Sequence, residues 1–111
     1  MSRRVREFAP TLRLLNRCSE SEKKVYLKSI LNKDLIHCIC ECAQNLLRGK
    51  VPLNRRQKSA LIRRKNSLRE LVKRSVSLTK KKKIIQSGGF LGALLGPIVS
   101  ILGGLLGGNS S

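Results

Sequence analysis

Residues 33–48, KDLIHCICECAQNLLR, form the stretch that decides the fold. Apolar side chains recur in it with the 3.6-residue period of an amphipathic helix; they are Leu35, Ile36, Ile39, Cys42, Ala43, Leu46 and Leu47. Asn32 and Asp34 can cap the amino end of such a helix. Gly49 can provide a left-handed stop, and Pro52 prevents continuation. We expect this stretch to be the central helix of a small core.

The chain before this helix divides into two parts. Ser19 and Glu22 have the spacing of a capping box, which predicts a helix from about residue 20 to residue 31. Its expected inward stripe is Tyr26, Leu27, Ile30 and Leu31, and Lys23, Lys24 and Lys28 are expected outside. We therefore predict a small helical core over residues 19–49. Residues 1–18 are predicted to be a basic amino-terminal arm that is flexible or weakly helical up to Pro10.

Two further segments follow the central helix. Asn54 and Gln57 again have capping spacing, and they predict one long basic helix over residues 54–74. Its apolar edge is narrow, and a short helix over residues 80–86 follows it. The expected fold class is therefore all-α, a small helical cluster with a projecting basic helix and a hydrophobic Gly-rich tail. The basic helical segment covers residues 50–87, and the tail covers residues 88–111.

Positive charge is concentrated in one part of the chain. The chain has 24 Lys and Arg against 6 Asp and Glu, a net charge of +18. Residues 1–47 contain nine basic and five acidic side chains, whereas residues 48–83 contain fifteen basic side chains and only Glu70 as an acid. Like charges three or four positions apart on a helix repel each other. This arrangement favours an anionic partner that cancels the charge.

The residue types indicate contact with phosphates and not with bases. Trp is absent, and Tyr26, Phe8 and Phe90 are the only aromatic residues, so stacking platforms for bases are missing. We expect non-specific DNA binding, and about ten phosphate contacts would give a salt slope near −9. The predicted nucleic-acid-binding residues are Arg55, Arg56, Lys58, Arg63, Arg64, Lys65, Arg69, Lys73, Arg74, Lys80, Lys81, Lys82 and Lys83.

The carboxyl-terminal stretch has the opposite character, because it carries no charge from residue 84 onwards. Small residues recur in it at every fourth position, which would place them in a row on one helical face. With Pro97, the residues predicted for membrane contact or self-association are Gly88, Gly92, Gly96, Ser100, Gly104 and Gly108. Three interpretations stay open: a membrane span, a membrane-disrupting peptide, or a segment that packs on a partner protein or on copies of itself.

The four cysteines do not indicate a metal site or a disulfide framework. Cys38 and Cys42 share one face of the central helix, His37 borders it, and Cys40 points nearly away. These groups cannot converge on one ion, so we expect free thiols that act as small core hydrophobes. No signal-peptide pattern precedes them, which favours a reducing compartment. We predict no cofactor, no metal and, since no catalytic constellation is visible, no enzymatic activity.

Four segments resemble one known family. They are ICECAQNLLRG at residues 39–49, VPLNRRQK at 51–58, VSLTKKKK at 76–83 and QSGGFLGALLGPIVSILGGLLGG at 86–108. The chain is similar to small basic virion proteins of adintovirus and Polinton type, which are compared with the adenovirus minor core protein X. The resemblance covers most of residues 30–108. It implies a place in the virion and a role in genome packaging, and it carries over no catalytic or ligand residue.

These observations together predict a non-enzymatic structural or accessory protein of a DNA virus or virus-like mobile element, which binds and condenses DNA. It would be found in the virion and in the host nucleus or cytoplasm. The tail would attach it to capsid protein, to membrane or to sister copies. The alternative is a membrane-active protein whose lysines bind anionic headgroups, and a third is a cellular tail-anchored adaptor. Deletion of residues 88–111 is expected to spare DNA binding and abolish membrane leakage.

Overall fold

The computed structural model describes the backbone of residues 2–107 and the side chains of residues 2–102, and over this range it has eight helices and no strand. They are α1 Arg3–Glu7, α2 Ala9–Arg17, α3 Glu20–Ile30, α4 Lys33–Leu47, α5 Arg55–Arg63, α6 Lys65–Val72, α7 Leu78–Gln86 and α8 Phe90–Gly107. The predicted all-α class is confirmed.

Helix α4 occupies the centre, as predicted. The Asn32 side chain accepts a hydrogen bond from the Leu35 amide at 2.9 Å, and Gly49 follows the helix with a φ of +69°. The helix contacts α1, α6, α7 and α8. Burial therefore extends over much of its circumference, and its buried residues are Leu35, Ile36, Cys38, Ile39, Cys42, Ala43 and Leu46.

Both predicted capping boxes are present. Ser19 accepts from the Glu22 amide at 3.2 Å, and the Glu22 carboxylate accepts from the Ser19 amide at 2.8 Å. Hydrogen bonding of the Glu22 carboxylate by the Ser19 amide, and then by the Ser19 hydroxyl, holds the pKa of Glu22 below its ordinary value. Asn54 and Gln57 exchange the same two bonds at the start of α5. Each pair satisfies two amides that a helix leaves without an internal partner.

The amino-terminal residues are part of the core, which differs from the expected arm. Val5 and Leu12 are fully buried, α1 packs on α4, and α2 packs on α8. Pro10 stands in the first turn of α2, where backbone amides have no partner within the helix, so the missing amide hydrogen of proline costs no hydrogen bond. Pro10 was therefore wrongly interpreted as the end of an irregular segment.

The Gly-rich stretch is the largest departure from expectation. It forms α8, and this helix lies against α2, α5 and α7. Six of its apolar side chains are almost completely buried, and they are Phe90, Leu91, Leu94, Leu95, Ile98 and Leu102. In the folded chain the predicted tail is thus a core helix that buries its apolar side chains against the basic helices and the amino-terminal helices.

The predicted single basic helix is also wrong. It is divided at Arg64, whose φ of −113° and ψ of 16° lie outside the α-helical range. The division lets α5 contact α8 while α6 lies on α4. Leu61, Leu68 and Leu71 are buried as a result. The basic helices do not project from the core, because their narrow apolar edges pack onto it.

Gly89 links α7 to α8 and provides a test of this junction. It has a φ of +77°, and a methyl group on it would lie 2.5 Å from a guanidinium nitrogen of Arg64. Gly89→Ala should lower the free energy of unfolding by about 1–2 kcal/mol, the cost of a left-handed residue with a β-carbon. Gly88→Ala is the matched control, since no atom lies within 4 Å of a methyl group there. Urea unfolding of both variants measures the difference, and equal stability would contradict the described turn.

Candidate nucleic-acid interface

The thirteen predicted binding residues lie on or beside α5, α6 and α7. Eleven are exposed, and Arg64 and Lys81 are half-buried. Each of the three helices turns apolar residues toward the core: Leu61 from α5, Leu68 and Leu71 from α6, and Ile85 from α7. The other sides of these helices carry the cations. The structure therefore brings the predicted residues to the outer sides of three consecutive helices, which we call the cationic surface.

The cationic surface contains one carboxylate, that of Glu70, which pairs with two of its lysines. Glu70 Oε1 lies 3.3 Å from Lys73 Nζ, and Glu70 Oε2 lies 3.6 Å from Lys80 Nζ. The hydrogen bond and charge of Lys73, followed by the charge of Lys80, hold the pKa of the Glu70 carboxyl below its ordinary value. The other acidic residues belong to α1, α3 and α4. Within residues 2–102, Glu70 makes the only ion pairs recorded for the cationic surface.

Acidic residues stand in the first turn of α3 and α4, but not in the first turns of the helices of the cationic surface or of α1, α2 and α8. Helices α3 and α4 begin with acidic residues, Glu20 and Asp34 among them, as the helix dipole favours. Helices α5, α6 and α7 have no acidic residue in the first turn. Basic residues stand there instead, and they include Arg55, Arg56, Lys65 and Lys80. Each unfavourable placement costs roughly 0.3–1 kcal/mol at low ionic strength, and a bound anion would relieve it.

Two of the predicted binding residues are engaged inside the protein. The Arg64 guanidinium lies over Gly89 at the α7–α8 turn. Lys81 lies close enough to Cys40 for its charge to oppose the rise that burial causes in the pKa of that thiol. These two side chains are half-buried and are therefore less available to a ligand than the eleven exposed ones.

The row of small residues lies away from the buried apolar stripe of α8: Gly92 and Gly96 are half-buried, and Ser100 is exposed. A methyl group on Gly92 would be 3.2 Å from Lys23 Nζ of α3, and one on Gly96 would be 4.0 Å from Gln57 of α5. Ser100 donates a hydrogen bond to the Gly96 carbonyl at 3.1 Å. Gly88 precedes the helix, and Pro97 and Gly104 lie within it. Gly108 lies outside the described residues.

No single helix among the described residues is both long enough and apolar enough to cross a membrane. One pair meets the length and composition test jointly, α7 with residues 90–102 of α8, and the two members are bent by 85°.

The thiols behave as core side chains. Cys38 and Cys42 are buried as predicted, and all four cysteines are free. A hydrogen bond with Cys38, together with burial, raises the pKa of Cys42. The Cys40 thiol donates to the Leu71 carbonyl at 3.4 Å and thereby joins α4 to α6. Among residues 2–102 no three His, Cys, Asp or Glu side chains are grouped so that they could hold a metal ion.

Lys23 is a residue whose position the sequence analysis missed. It was expected outside, yet it is 7% exposed, and its ammonium lies above Gly92 and 3.8 Å from Glu20. Tyr26, expected inside, is 41% exposed. A lysine stem can cover apolar surface while its ammonium reaches the edge. The sequence signal for burial of Lys23 was the row of glycines in α8, because a glycine such as Gly92 leaves room for the lysine stem.

Comparison with protein-family models, with curated protein sequences and with solved structures gives no match.

The position of Glu70 gives a prediction about affinity. Glu70→Gln should release Lys73, which donates a hydrogen bond to the Glu70 carboxylate, and duplex DNA should bind about fivefold more tightly at about 0.15 M salt, the effect of one added phosphate contact. Glu7→Gln is the matched control, since Glu7 pairs with Arg3 on α1, away from the cationic surface. Fluorescence anisotropy measures both. Equal gains in the two variants would contradict a localised surface.

Proposed function

We propose that the cationic surface binds duplex DNA non-specifically through its phosphates, and that the protein is a non-enzymatic structural or accessory protein of a DNA virus or virus-like mobile element. One observation carries the binding proposal. Thirteen cations, ten of them within three consecutive helices and three in the links between these helices, share a single carboxylate, Glu70. The viral assignment is supported by the sequence resemblance, which also supports a virion and a host nucleus or cytoplasm as locations.

The architecture favours backbone contact over base recognition. Helices α5, α6 and α7 have 9, 8 and 9 residues, and each packs one side on the core. None is a free helix that could enter the major groove along its length. The one tyrosine lies on α3, outside the cationic surface. Contacts to phosphates position a protein on DNA without carrying sequence information, so binding is independent of sequence.

The distribution of the cations also bears on condensation. They are spread over three short helices on a body with extents of 40 × 28 × 26 Å, not along one rod. One duplex then engages about half of the exposed cations, and those left over can contact a second duplex. This division supports bridging of DNA segments, which is how a polycationic protein condenses DNA.

Helix α8 could attach the protein to capsid protein, membrane or sister copies only after a change in structure. Residues such as Leu94, Leu95 and Ile98 are fully buried, so α8 would have to leave the core first. The same condition applies to the membrane-active alternative. Deletion of residues 88–111 therefore removes a core helix, and it is unsuitable as a test that separates DNA binding from membrane leakage.

A salt titration tests the proposed function. Binding of two duplexes of unrelated sequence is measured by fluorescence anisotropy over a range of salt concentrations. We expect equal affinities and a slope of log affinity against log salt of about −4 to −5, because about half of the exposed cations meet one duplex. This slope is shallower than the value near −9 that about ten phosphate contacts would give. A slope near zero, or a strong preference for one sequence, would contradict the proposal.

A further inference from the structure

Three serines in the cationic region share one sequence pattern. An arginine lies three positions before Ser59, Ser67 and Ser77, and no other Ser or Thr in the chain has a basic residue at that position. The three arginines are Arg56, Arg64 and Arg74. Basophilic serine/threonine kinases select such serines, because acidic groups in their substrate cleft complement the arginine. The sequence alone does not distinguish among the three.

The structure distinguishes them clearly. Ser59 lies within α5, and Ser67 lies half-buried within α6. Ser77 lies in the exposed link between α6 and α7, where its φ of −67° and ψ of 158° are extended. Protein kinases bind the residues around the acceptor serine in an extended conformation. Ser77 itself has that conformation, and residues 74–76 form a turn in which the Val76 amide donates to the Lys73 carbonyl at 3.3 Å. Binding at Ser77 therefore requires only this turn and the first turn of α7 to open, whereas Ser59 and Ser67 lie inside helices that would have to unwind on both sides of the serine.

We propose that Ser77 is a phosphorylation site for a basophilic serine/threonine kinase that uses MgATP. In this step the Ser77 hydroxyl oxygen attacks the γ-phosphorus of ATP. A new P–O bond forms, the bond from the γ-phosphorus to the β,γ-bridging oxygen breaks, and ADP leaves. The hydroxyl proton passes to the kinase's catalytic carboxylate, and no oxidation or reduction takes place.

The position of Ser77 gives the modification a consequence for DNA binding, and this part rests on the proposed function. The Ser77 hydroxyl accepts from the Lys80 amide at 3.1 Å at the start of α7. A phosphate there adds about −1.5 to −2 charges. The exposed cations nearest to it in the chain, Arg74 and Lys80, would pair with it and be lost to DNA. Loss of one or two contacts reduces affinity roughly 5- to 30-fold at about 0.15 M salt.

The first experiment locates the modification in the folded chain. The full chain is treated with the catalytic subunit of cyclic-AMP-dependent protein kinase and MgATP, and the sites are mapped by mass spectrometry over time. Synthetic peptides 52–64, 60–72 and 70–82 provide the unfolded reference. We expect all three peptides to be phosphorylated, and in the full chain Ser77 to react at least about tenfold faster than Ser59 or Ser67. Equal rates at the three serines, or an unmodified Ser77, would overturn the proposal.

The second experiment measures the consequence with a matched variant. Ser77→Asn keeps a good capping side chain and removes the phosphate acceptor. Kinase treatment should weaken DNA binding of the original chain 5- to 30-fold and leave the Ser77→Asn variant unchanged. If the modified chain binds DNA as tightly as the unmodified one, the regulatory inference is wrong. If neither form binds DNA, the proposed function fails, while the mapped site still decides the phosphorylation proposal.

Discussion

Replacing Lys80, Lys82 and Lys83 together by glutamine is expected to weaken duplex DNA binding about 100-fold at about 0.15 M salt. Each phosphate contact contributes about 0.9 to the salt slope, which corresponds to about a fivefold change in affinity at this concentration. All three lysines are exposed on α7. The slope itself should become shallower by about 2 to 3. Anisotropy titrations over a range of salt concentrations measure both quantities.

The matched control changes the net charge by the same amount elsewhere. Lys24, Lys28 and Lys33 are also exposed, but they lie on or near helices that carry Glu20, Glu22 and Asp34. Replacing these three lysines by glutamine should reduce affinity less than about fivefold, the value of one contact. If both triple variants lost affinity equally, total charge and not the cationic surface would govern binding.

Leu95→Ala is expected to lower the free energy of unfolding by about 2–5 kcal/mol, the range for a leucine removed from a packed core. Leu95 is fully buried in α8, which packs on α2, α5 and α7. A substitution in the uncharged stretch should therefore destabilise the amino-terminal and basic helices as well. Urea unfolding followed by circular dichroism measures the change.

The comparison for this variant is Leu78→Ala. Leu78 is 40% exposed at the start of α7, so its loss should cost about 1 kcal/mol or less. If Leu95→Ala were as stable as Leu78→Ala, α8 would not be part of the core. The membrane-active alternative would then regain support, because the apolar helix would be available without unfolding the rest of the protein.

Local signals in the sequence predicted much of the fold. The helix over residues 33–48 and both capping boxes are found where the sequence placed them, because a cap depends on residues three positions apart. The break at Arg64 and the packing of α8 could not be predicted in the same way. Both depend on which apolar surfaces meet between segments that are distant in the chain. In addition, the glycines and Pro97 give the α8 stretch a low intrinsic helix propensity.

In the candidate site, too, features set by local sequence could be predicted and features set by tertiary contacts could not. Exposure of most of the thirteen cations could be predicted, since the apolar edge of each basic helix is narrow. The internal roles of Arg64 and Lys81 depend on the tertiary contacts with Gly89 and with the Cys40 region. Burial of Lys23 over Gly92 likewise arises only when α3 meets α8. Long basic side chains are difficult to place from sequence because their stems pack as readily as they extend.

The charged and uncharged parts of the chain pack against each other in the folded molecule. The uncharged helix α8 contacts α5 and α7, and it thus supplies part of the core on which the basic helices rest. Residues 48–83, which carry most of the positive charge, contribute only four buried apolar side chains, Val51, Leu61, Leu68 and Leu71. We infer that α8 holds α5 and α7 in place, and that the repulsion among their cations is offset by this apolar packing and, in the complex, by phosphate.

The measurement that tests the central claim most directly is a chemical-shift map of the isotope-labelled full chain titrated with a duplex of about one helical turn. At low salt we expect amide signals of residues 55–83 to shift as DNA is added, and those of α2 and α3 to stay in place. The shifts should reverse when salt is raised. Shifts centred on α1 to α3, or an unchanged spectrum at low salt, would contradict DNA binding by the cationic surface.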